Sequence, residues 1–197
     1  MNAAADFLFE TGMLAKTPRS GFSFLGSGKQ SVAEHINRTV YIGFALAQIA
    51  GDTDVGKVVM MCQFHDITEA RISDLNYVHQ KYNERKEERA LHDLTVALPF
   101  GGAIHALLKE YEERKSREAL LAKDADNLEF LLSLKEQVDV GNIRAATWIP
   151  PLVERLKTPE ALLLAKVIQN TPSDRWWFAN KNDDWWVNRN QPPKTND

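Results

Sequence analysis

The sequence has little cysteine, little net charge and no long apolar run. Its 197 residues include one cysteine, Cys62, which excludes an internal disulfide and is interpreted as a small buried apolar residue. The net charge of -3 provides no general attraction to nucleic acid or to an anionic membrane. No stretch approaches the roughly 20 apolar residues of a membrane span, and the acidic N-terminal segment differs from a signal peptide. These absences favour a cytoplasmic globular protein.

Patterns typical of strands are also scarce, whereas apolar residues recur at spacings of three and four along most of the chain. This spacing is typical of amphipathic helices, so we expect an all-α fold. A chain of this length can bury a substantial core as one domain. We therefore expect a single helical domain over residues 1–197, with a core over about 30–135 and a helical extension and tryptophan-rich tail over about 140–197. Helices are predicted over about 2–14, 31–50, 54–70, 84–98, 103–115, 117–138, 142–156 and 159–170.

Side chains suited to capping mark three of the predicted helix starts. Ser31, with Glu34 three residues later, has the pattern of a capping box. Asp54 precedes the next apolar run, and Thr158 stands before Pro159, a residue suited to the first helical turn. Helices are therefore predicted to begin directly after Ser31, Asp54 and Thr158.

Other segments are predicted to lie outside helices. Residues 15–30 carry Pro, Gly and Ser, and residues 71–83 are polar, so both are interpreted as connections. The segment 99–102, with sequence Pro-Phe-Gly-Gly, is expected to break the charged helix before it. The pair Pro150-Pro151 is expected to interrupt the helix over 142–156, because proline lacks an N–H group and clashes with the preceding turn.

The C-terminal tail contains two tryptophan pairs, Trp176-Trp177 and Trp185-Trp186, within a polar, Asn-rich segment. Four indole rings are costly to leave in water. We expect them to dock on the helical bundle or across a subunit interface, with a ligand platform as the alternative. The last residues, 192–197, are expected to fray.

The adjacent pair His65-Asp66 is the feature most indicative of chemistry. It lies near the end of the apolar run VVMMCQFHD, while His35 and the acidic segment KDADNLE lie on separate predicted helices. Two imidazoles and two carboxylates form a mixed nitrogen and oxygen ligand set. Such a set suits a divalent first-row metal and leaves positions for water and substrate. If these side chains converge in the fold, the chain is a metal-activated hydrolase.

Crowding of charge around that pair supports a bound cation. His65, Asp66 and Glu69 gather near a predicted helix C-terminus, where carboxylates oppose the helix dipole. Glu69 lies one turn after His65 and is placed to hold or deprotonate a water. In the acidic segment, Asp124 and Asp126 are both candidate ligands, and the residues alone do not decide between them. Two further charges of this segment can be interpreted as ordinary surface charges, Lys123 and Glu129.

These motifs resemble those of the HD-domain phosphohydrolases, in particular the branch that includes 5′-deoxynucleotidases. SVAEHINR is similar to the first metal-binding helix of that branch, and HDITEARISDL to its HD-x-x-E segment and acidic turn. YEERKSREALLAKDADNLE is similar to its last metal-binding helix, and LAKTPRSGF to its arginine-containing loop. The resemblance covers roughly residues 5–135.

The resemblance implies roles for eight residues. It implies one divalent metal ion, with manganese, cobalt, iron, zinc and magnesium all compatible, and it favours Asp126 over Asp124. The implied metal ligands are His35, His65, Asp66 and Asp126. Glu69 matches the catalytic residue that positions or activates the attacking water. The implied substrate-binding residues are Arg19 for the phosphate, Asp74 near the sugar and Lys81 in the following loop.

The function implied is the removal of phosphate from small phosphomonoesters, most directly (deoxy)nucleoside 5′-monophosphates, by attack of a metal-bound water. The family also implies a helical protein that is commonly dimeric. We therefore expect a homodimer that has neither a nucleic-acid polymer nor a membrane as partner. One departure concerns the sugar: Ser20 follows Arg19, where some deoxynucleotidases carry an aromatic residue, and the aromatic here is Phe22. The preference for deoxyribose over ribose therefore stays open.

Two other functions fit parts of the sequence. A di-iron HD-domain oxygenase requires additional histidines between the His-Asp pair and the last aspartate. His79, His92 and His105 lie in that interval, but their surroundings predict surface positions. A non-catalytic nucleotide-binding or interaction module would keep the metal site and use the tryptophan-rich tail as its partner surface. The number of metal ions per chain and a screen for phosphate release distinguish these functions.

Overall fold

The computed structural model describes residues 1–190, which form helices joined by turns and contain no strand. The all-α prediction is confirmed. The predicted fraying of residues 192–197 lies outside the described residues. Within the described range, no helix is long and apolar enough to cross a lipid bilayer. The helices are α1 Asn2–Thr11, α2 Phe22–Leu25, α3 Val32–Ala50, α4 Val55–Phe64, α5 Glu69–Ile72, α6 His79–Tyr82, α7 Glu87–Thr95, α8 Gly101–Glu113, α9 Arg117–Asp139, α10 Ile143–Val153, α11 Pro159–Gln169, α12 Arg175–Phe178 and α13 Asp184–Asn188, with a 3-10 turn at Gly12–Ala15.

The long helix α9 lies at the centre of the fold, with α3, α4, α8, α10 and α11 packed around it. Its apolar residues are buried on several faces, and Leu121, Leu128 and Leu134 have no exposed surface. Burial on several faces fits a central rather than a peripheral position. Charged side chains of α9 therefore lie among its neighbours and need partners there.

The three predicted caps are confirmed. Ser31 Oγ accepts a hydrogen bond from Glu34 N at 3.2 Å, and Glu34 Oε2 accepts one from Ser31 N at 2.6 Å. The side chains of Asp54 and Thr158 each accept a hydrogen bond from a backbone N–H in the first turn of their helices, at 3.0 Å and 3.4 Å. These bonds satisfy N–H groups that have no partner within the helix.

The predicted helix over 54–70 is wrong at residues 65–68. Helix α4 ends at Phe64, and a turn precedes α5. In that turn Ile67 N donates to Phe64 O at 3.0 Å, and Glu69 N donates to Asp66 O at 3.0 Å. Such bonds between residues three apart tighten the backbone, so residues three apart lie on the same side. The turn therefore places Asp66 and Glu69 on one side of the chain.

Three other boundaries differ from the predictions. The one-turn helices α2 and α6 lie within the predicted connections 15–30 and 71–83. The pair Pro150-Pro151 does not interrupt α10, because both residues lie near its C-terminal end. The residues four positions earlier, Ala146 and Thr147, are exposed, so water can bond the carbonyl groups that lack an N–H partner.

The tryptophan pairs do not dock on the bundle. Trp176 and Trp185 are 86% and 69% exposed. The tail rings pack mainly on one another: the Trp177 and Phe178 rings stack with centroids 5.0 Å apart, and Phe178 and Trp186 lie 5.1 Å apart. The subunit interface and the ligand platform both stay predictions.

Hydrogen bonds to Asp124 link α9 to the start of α11. Its side chain is 1% exposed and accepts hydrogen bonds from Thr158 N and Thr158 Oγ1, both at 2.7 Å, and from Lys157 N at 3.0 Å. All three donors lie at the α11 end of the molecule. Asp124 therefore has a structural role in this fold.

Replacing Asp124 by alanine is expected to lower the free energy of unfolding by about 2–4 kcal/mol, because two backbone N–H groups lose their partner in a buried position. Urea unfolding measures this change. The matched control is Asp139→Ala at the exposed end of the same helix, where the carboxylate accepts a hydrogen bond from Ser173 N at 2.7 Å. An equally small loss in both variants would contradict the role given to Asp124.

Candidate active site

Four side chains converge where α3, the end of α4 and α9 meet. His35 Nε2 lies 3.2 Å from His65 Nε2 and 3.1 Å from Asp126 Oδ1. Ligand atoms of these three residues all lie within 4.8 Å of one another, so they could hold a metal ion. Asp66 Oδ2 lies beside them, 3.2 Å from His65 Nε2 and 3.5 Å from His35 Nε2. The structure thus brings together all four residues that the sequence predicts as ligands.

The hydrogen bond made by Nδ1 of each imidazole ring determines that Nε2 faces the other candidate ligands. His35 Nδ1 lies 2.5 Å from Glu129 Oε2, and His65 Nδ1 lies 2.8 Å from the carbonyl oxygen of Cys62. A carbonyl and a carboxylate can only accept, so both Nδ1 atoms donate. In the neutral rings, both Nε2 atoms therefore direct lone pairs toward the carboxylates. Four electron-pair donors converge with no hydrogen between them, an arrangement that needs a proton or a cation.

The same crowding of charged groups shifts the pKa values of His35 and Asp66. Burial and Arg19 lower the pKa of His35, but Asp126 and Glu129 raise it and prevail, so that it reaches about 9. For Asp66, burial raises the pKa, and the attraction of His65 outweighs it and holds the pKa well below its ordinary value. The cluster thus favours added positive charge, and a divalent cation can supply it in place of the proton.

Two buried oxygens near this centre have no hydrogen-bond partner among the described residues, Glu69 Oε2 and Tyr111 OH. Glu69 is 5% exposed. Burial, together with Asp66 and Asp74, raises its pKa to about 9. An unsatisfied buried oxygen is costly, and a water or phosphate held at the centre would offer it a partner. The donor set and this oxygen both fit a divalent cation with open positions.

Arg19 lies over the centre on the loop before α2. Its Nη1 is 3.5 Å from Asp66 Oδ2 and 3.7 Å from Asp74 Oδ2. The loop is fixed by hydrogen bonds from Ser20 N to Asp74 Oδ2 and from Arg19 N to Gln30 O, both at 2.8 Å. This geometry points a guanidinium group toward the region that an anionic substrate would enter.

Lys81 is not brought into this group. It is exposed, and its ammonium lies 4.3 Å from the centre of the Tyr77 ring. A basic side chain that does lie near Glu69 is Arg85, with Nη2 3.6 Å from Glu69 Oε1. Sequence reasoning missed Arg85 because it lies in a strongly charged segment with no pattern that separates it from its neighbours.

Glu129 was also missed, and its interpretation as a surface charge is wrong. It is 0% exposed. Besides His35, it binds Arg38 Nε at 2.9 Å and Gln30 Nε2 at 2.7 Å, both through Oε1. A signal was present in the sequence, because this carboxylate stands among the large apolar residues of NLEFLLSL. A charge in such a run needs a buried partner.

Lys123 was also interpreted as an ordinary surface charge, but it pairs with one of the proposed metal ligands. Its Nζ lies 2.7 Å from Asp126 Oδ2, so it holds the outer oxygen of this carboxylate while the other oxygen faces His35. The three histidines considered for a second iron do not join this group. His92 and His105 line the wider cleft, but His79 and His92 are exposed, His105 is half-buried, and none belongs to the metal-binding group found among the described residues.

Comparisons with known proteins concern the family and the fold. The family model of the HD domain matches residues 11–163. A 5′-deoxynucleotidase HDDC2 from Danio rerio is 27% identical over 142 residues, which cover 69% of this chain and 70% of that protein. A protein of the same name from Dictyostelium discoideum is 31% identical over 118 residues, covering 54% of this chain and 62% of that protein.

Solved structures share the fold. A conserved hypothetical protein from Pyrococcus furiosus has a TM-score of 0.70 and 27% identity, with 85% of this chain and 99% of that chain covered. A predicted metal-dependent phosphohydrolase from Magnetospirillum magnetotacticum has a TM-score of 0.68 and 23% identity, with 89% and 93% covered. At the latter identity the likeness concerns the fold alone.

Replacing Glu129 by glutamine is expected to weaken Mn²⁺ binding by roughly 10- to 100-fold, because the carboxylate that orients the His35 ring is lost. Isothermal titration calorimetry measures the Kd. The matched control is Glu136→Gln, because Glu136 also accepts a hydrogen bond from Arg38, through Nη1 at 2.6 Å, but is exposed. Equal Kd values for both variants and the wild type would contradict the orienting role.

Without a cation, the free energy of unfolding is expected to fall as the pH rises from about 7 to 9. The pKa values of Glu69 and His35 rise from 4.5 and 6.5 to about 9 in the folded protein. Between these values the folded state binds more protons than the unfolded state, so stability declines with pH.

The Tm of protein stripped of metal with a chelator measures this decline, and Glu69→Gln should show a smaller one, because the amide does not titrate. Saturating Mn²⁺ should also reduce it. A Tm that is level between pH 7 and pH 9 in the stripped wild type would contradict the account of this cluster.

Proposed function

The chain belongs to the HD-domain family of phosphohydrolases, and on that premise we propose that it removes phosphate from small phosphomonoesters, with nucleoside 5′-monophosphates as the preferred class. The observation that carries this proposal is the meeting of two imidazole lone pairs and two carboxylate oxygens beneath the guanidinium of Arg19. Two relatives named as 5′-deoxynucleotidases support the substrate class.

We assign His35, His65, Asp66 and Asp126 as ligands of one divalent cation. Manganese, cobalt, iron, zinc and magnesium are all compatible with this nitrogen and oxygen set. When bound, the cation would polarise a phosphoryl oxygen and lower the pKa of a water. The protein contributes the orientation: Glu129 and the Cys62 carbonyl hold the imidazole rings, as described above, and Lys123 holds the outer oxygen of Asp126.

Glu69 is assigned as the residue that positions the attacking water and accepts its proton. Its Oε1 is next to Arg85, which leaves Oε2, the buried oxygen without a partner, for the water. A cation held by the four ligands would favour the carboxylate form and so lower the pKa of Glu69 from its raised value. As a carboxylate, Glu69 can act as a general base.

Arg19 is assigned to the phosphate. Its fork of N–H groups matches the oxygens of that anion. The contacts with Asp66 and Asp74 hold the guanidinium in place at distances of 3.5 and 3.7 Å, longer than close ion pairs, so it keeps donors for a substrate. Phosphoryl transfer requires positioning and charge stabilisation more than covalent chemistry by the protein. Arg19 supplies the charge stabilisation, and Glu69 supplies the positioning of the water.

Replacing Glu69 by glutamine is expected to lower kcat by roughly 100-fold or more while the bound metal is retained, because the amide cannot take a proton. Phosphate release and the metal content of the purified protein measure the two properties. The matched control is Glu87→Gln, since Glu87 also pairs with Arg85, at 3.0 Å, but is exposed. Full turnover of Glu69→Gln would refute the role given to this residue.

The function itself is tested by measuring phosphate release from ribonucleoside and deoxyribonucleoside mono-, di- and triphosphates, with each of the five ions. We expect release from the monophosphates, dependent on the ion and abolished by Asp66→Ala. The absence of release from every phosphomonoester with every ion would refute the proposed function.

A further inference from the structure

Two aromatic side chains lie in the same cleft as the proposed metal ligands, Phe130 of α9 and Trp148 of α10. Their ring centroids are 6.2 Å apart, with an angle of 58° between the rings. Both are half-buried, so part of each ring is accessible. Both line the cleft that also contains Asp66, Glu69 and Asp126. The assignments above give this aromatic pair no role.

The position of Phe130 relative to the metal site follows from the helix register. The residues of α9 that line the cleft include Lys123, Asp126, Asn127 and Phe130. Residues separated by three, four and seven positions lie on one face of a helix. Phe130 therefore lies about one turn beyond Asp126, roughly 6 Å along the helix axis. An aromatic surface begins about one helical turn from a ligand of the proposed cation.

The loop that carries Arg19 connects these two regions. A Cβ atom placed on Gly21, two residues after Arg19, would lie 3.6 Å from Cζ of Phe130 and 3.9 Å from Cζ3 of Trp148. The backbone after the proposed phosphate-binding arginine thus passes against the edges of both rings. The cleft presents a cation site, then a guanidinium, then an aromatic pair. A molecule with an anionic end and a planar apolar end matches this order.

We propose that Phe130 and Trp148 form the binding surface for the base of a nucleoside 5′-monophosphate, with the sugar between this surface and the metal site. The inference rests on the proposed function and deepens it, because it separates nucleotides from other small phosphoesters. Aromatic side chains stack on the π-face of any base, so this surface favours nucleotides as a class over one particular base. The accessible part of Trp148 is the main contact, and Phe130 holds its orientation.

The test compares a nucleotide with the same phosphoester lacking the base. Wild type, Trp148→Leu and Trp148→Phe are assayed with deoxyadenosine 5′-monophosphate and with 2-deoxyribose 5-phosphate. Stacking on an aromatic side chain predicts that Trp148→Leu loses roughly tenfold or more in kcat/KM for the nucleotide, mainly through KM. The rate for 2-deoxyribose 5-phosphate should be unchanged, and Trp148→Phe should recover most of the loss. The matched control is Trp177→Leu in the exposed tail, with no expected effect on either substrate.

Several outcomes would overturn the inference. Equal losses for both substrates would show that Trp148 only supports the fold, and no loss for either would show that it does not contact the base. A wild type that hydrolyses 2-deoxyribose 5-phosphate as efficiently as the nucleotide would overturn the base site and leave the proposed phosphomonoesterase function standing. A wild type inactive on both substrates and on all other phosphomonoesters would remove the proposed function and, with it, this inference.

Discussion

Repulsion among four electron-pair donors is the interaction on which the rest of the site depends. The hydrogen bonds of the two Nδ1 atoms leave both Nε2 lone pairs, 3.2 Å apart, facing each other and two carboxylates. In a buried position such a cluster needs a proton or a cation. A cation held there would also bring Glu69 into its basic form and attract a phosphate to the cleft.

Helix α9 holds these mutually repelling imidazole and carboxylate groups close together. Because α9 is enclosed by its neighbours, Asp126 and Glu129 are fixed relative to the imidazole rings of α3 and the end of α4. Glu129 links this arrangement to Arg38 and Gln30, so it orients His35 and has its own charge compensated. The turn after Phe64 supplies the remaining geometry, because its hydrogen bonds between residues three apart place Asp66 and Glu69 on one side of the chain.

Local chemistry could be predicted from the sequence, and features made by tertiary contacts could not. The caps at Ser31, Asp54 and Thr158 depend on side chains within three residues of the helix start, and they were predicted correctly. The end of α4 depends on what packs against it and was missed. Glu129 was misread because its partners lie more than 90 residues away in the chain, and the His65-Asp66 pair was recognised because its residue types are unusual at a helix end.

A crystal structure of the protein with Mn²⁺, with anomalous scattering used to locate the ion, tests the central claim most directly. The account predicts one manganese peak per chain, between the Nε2 atoms of His35 and His65 and within bonding distance of carboxylate oxygens of Asp66 and Asp126. A peak held by other residues, or no ordered ion at this position at saturating Mn²⁺, would contradict it.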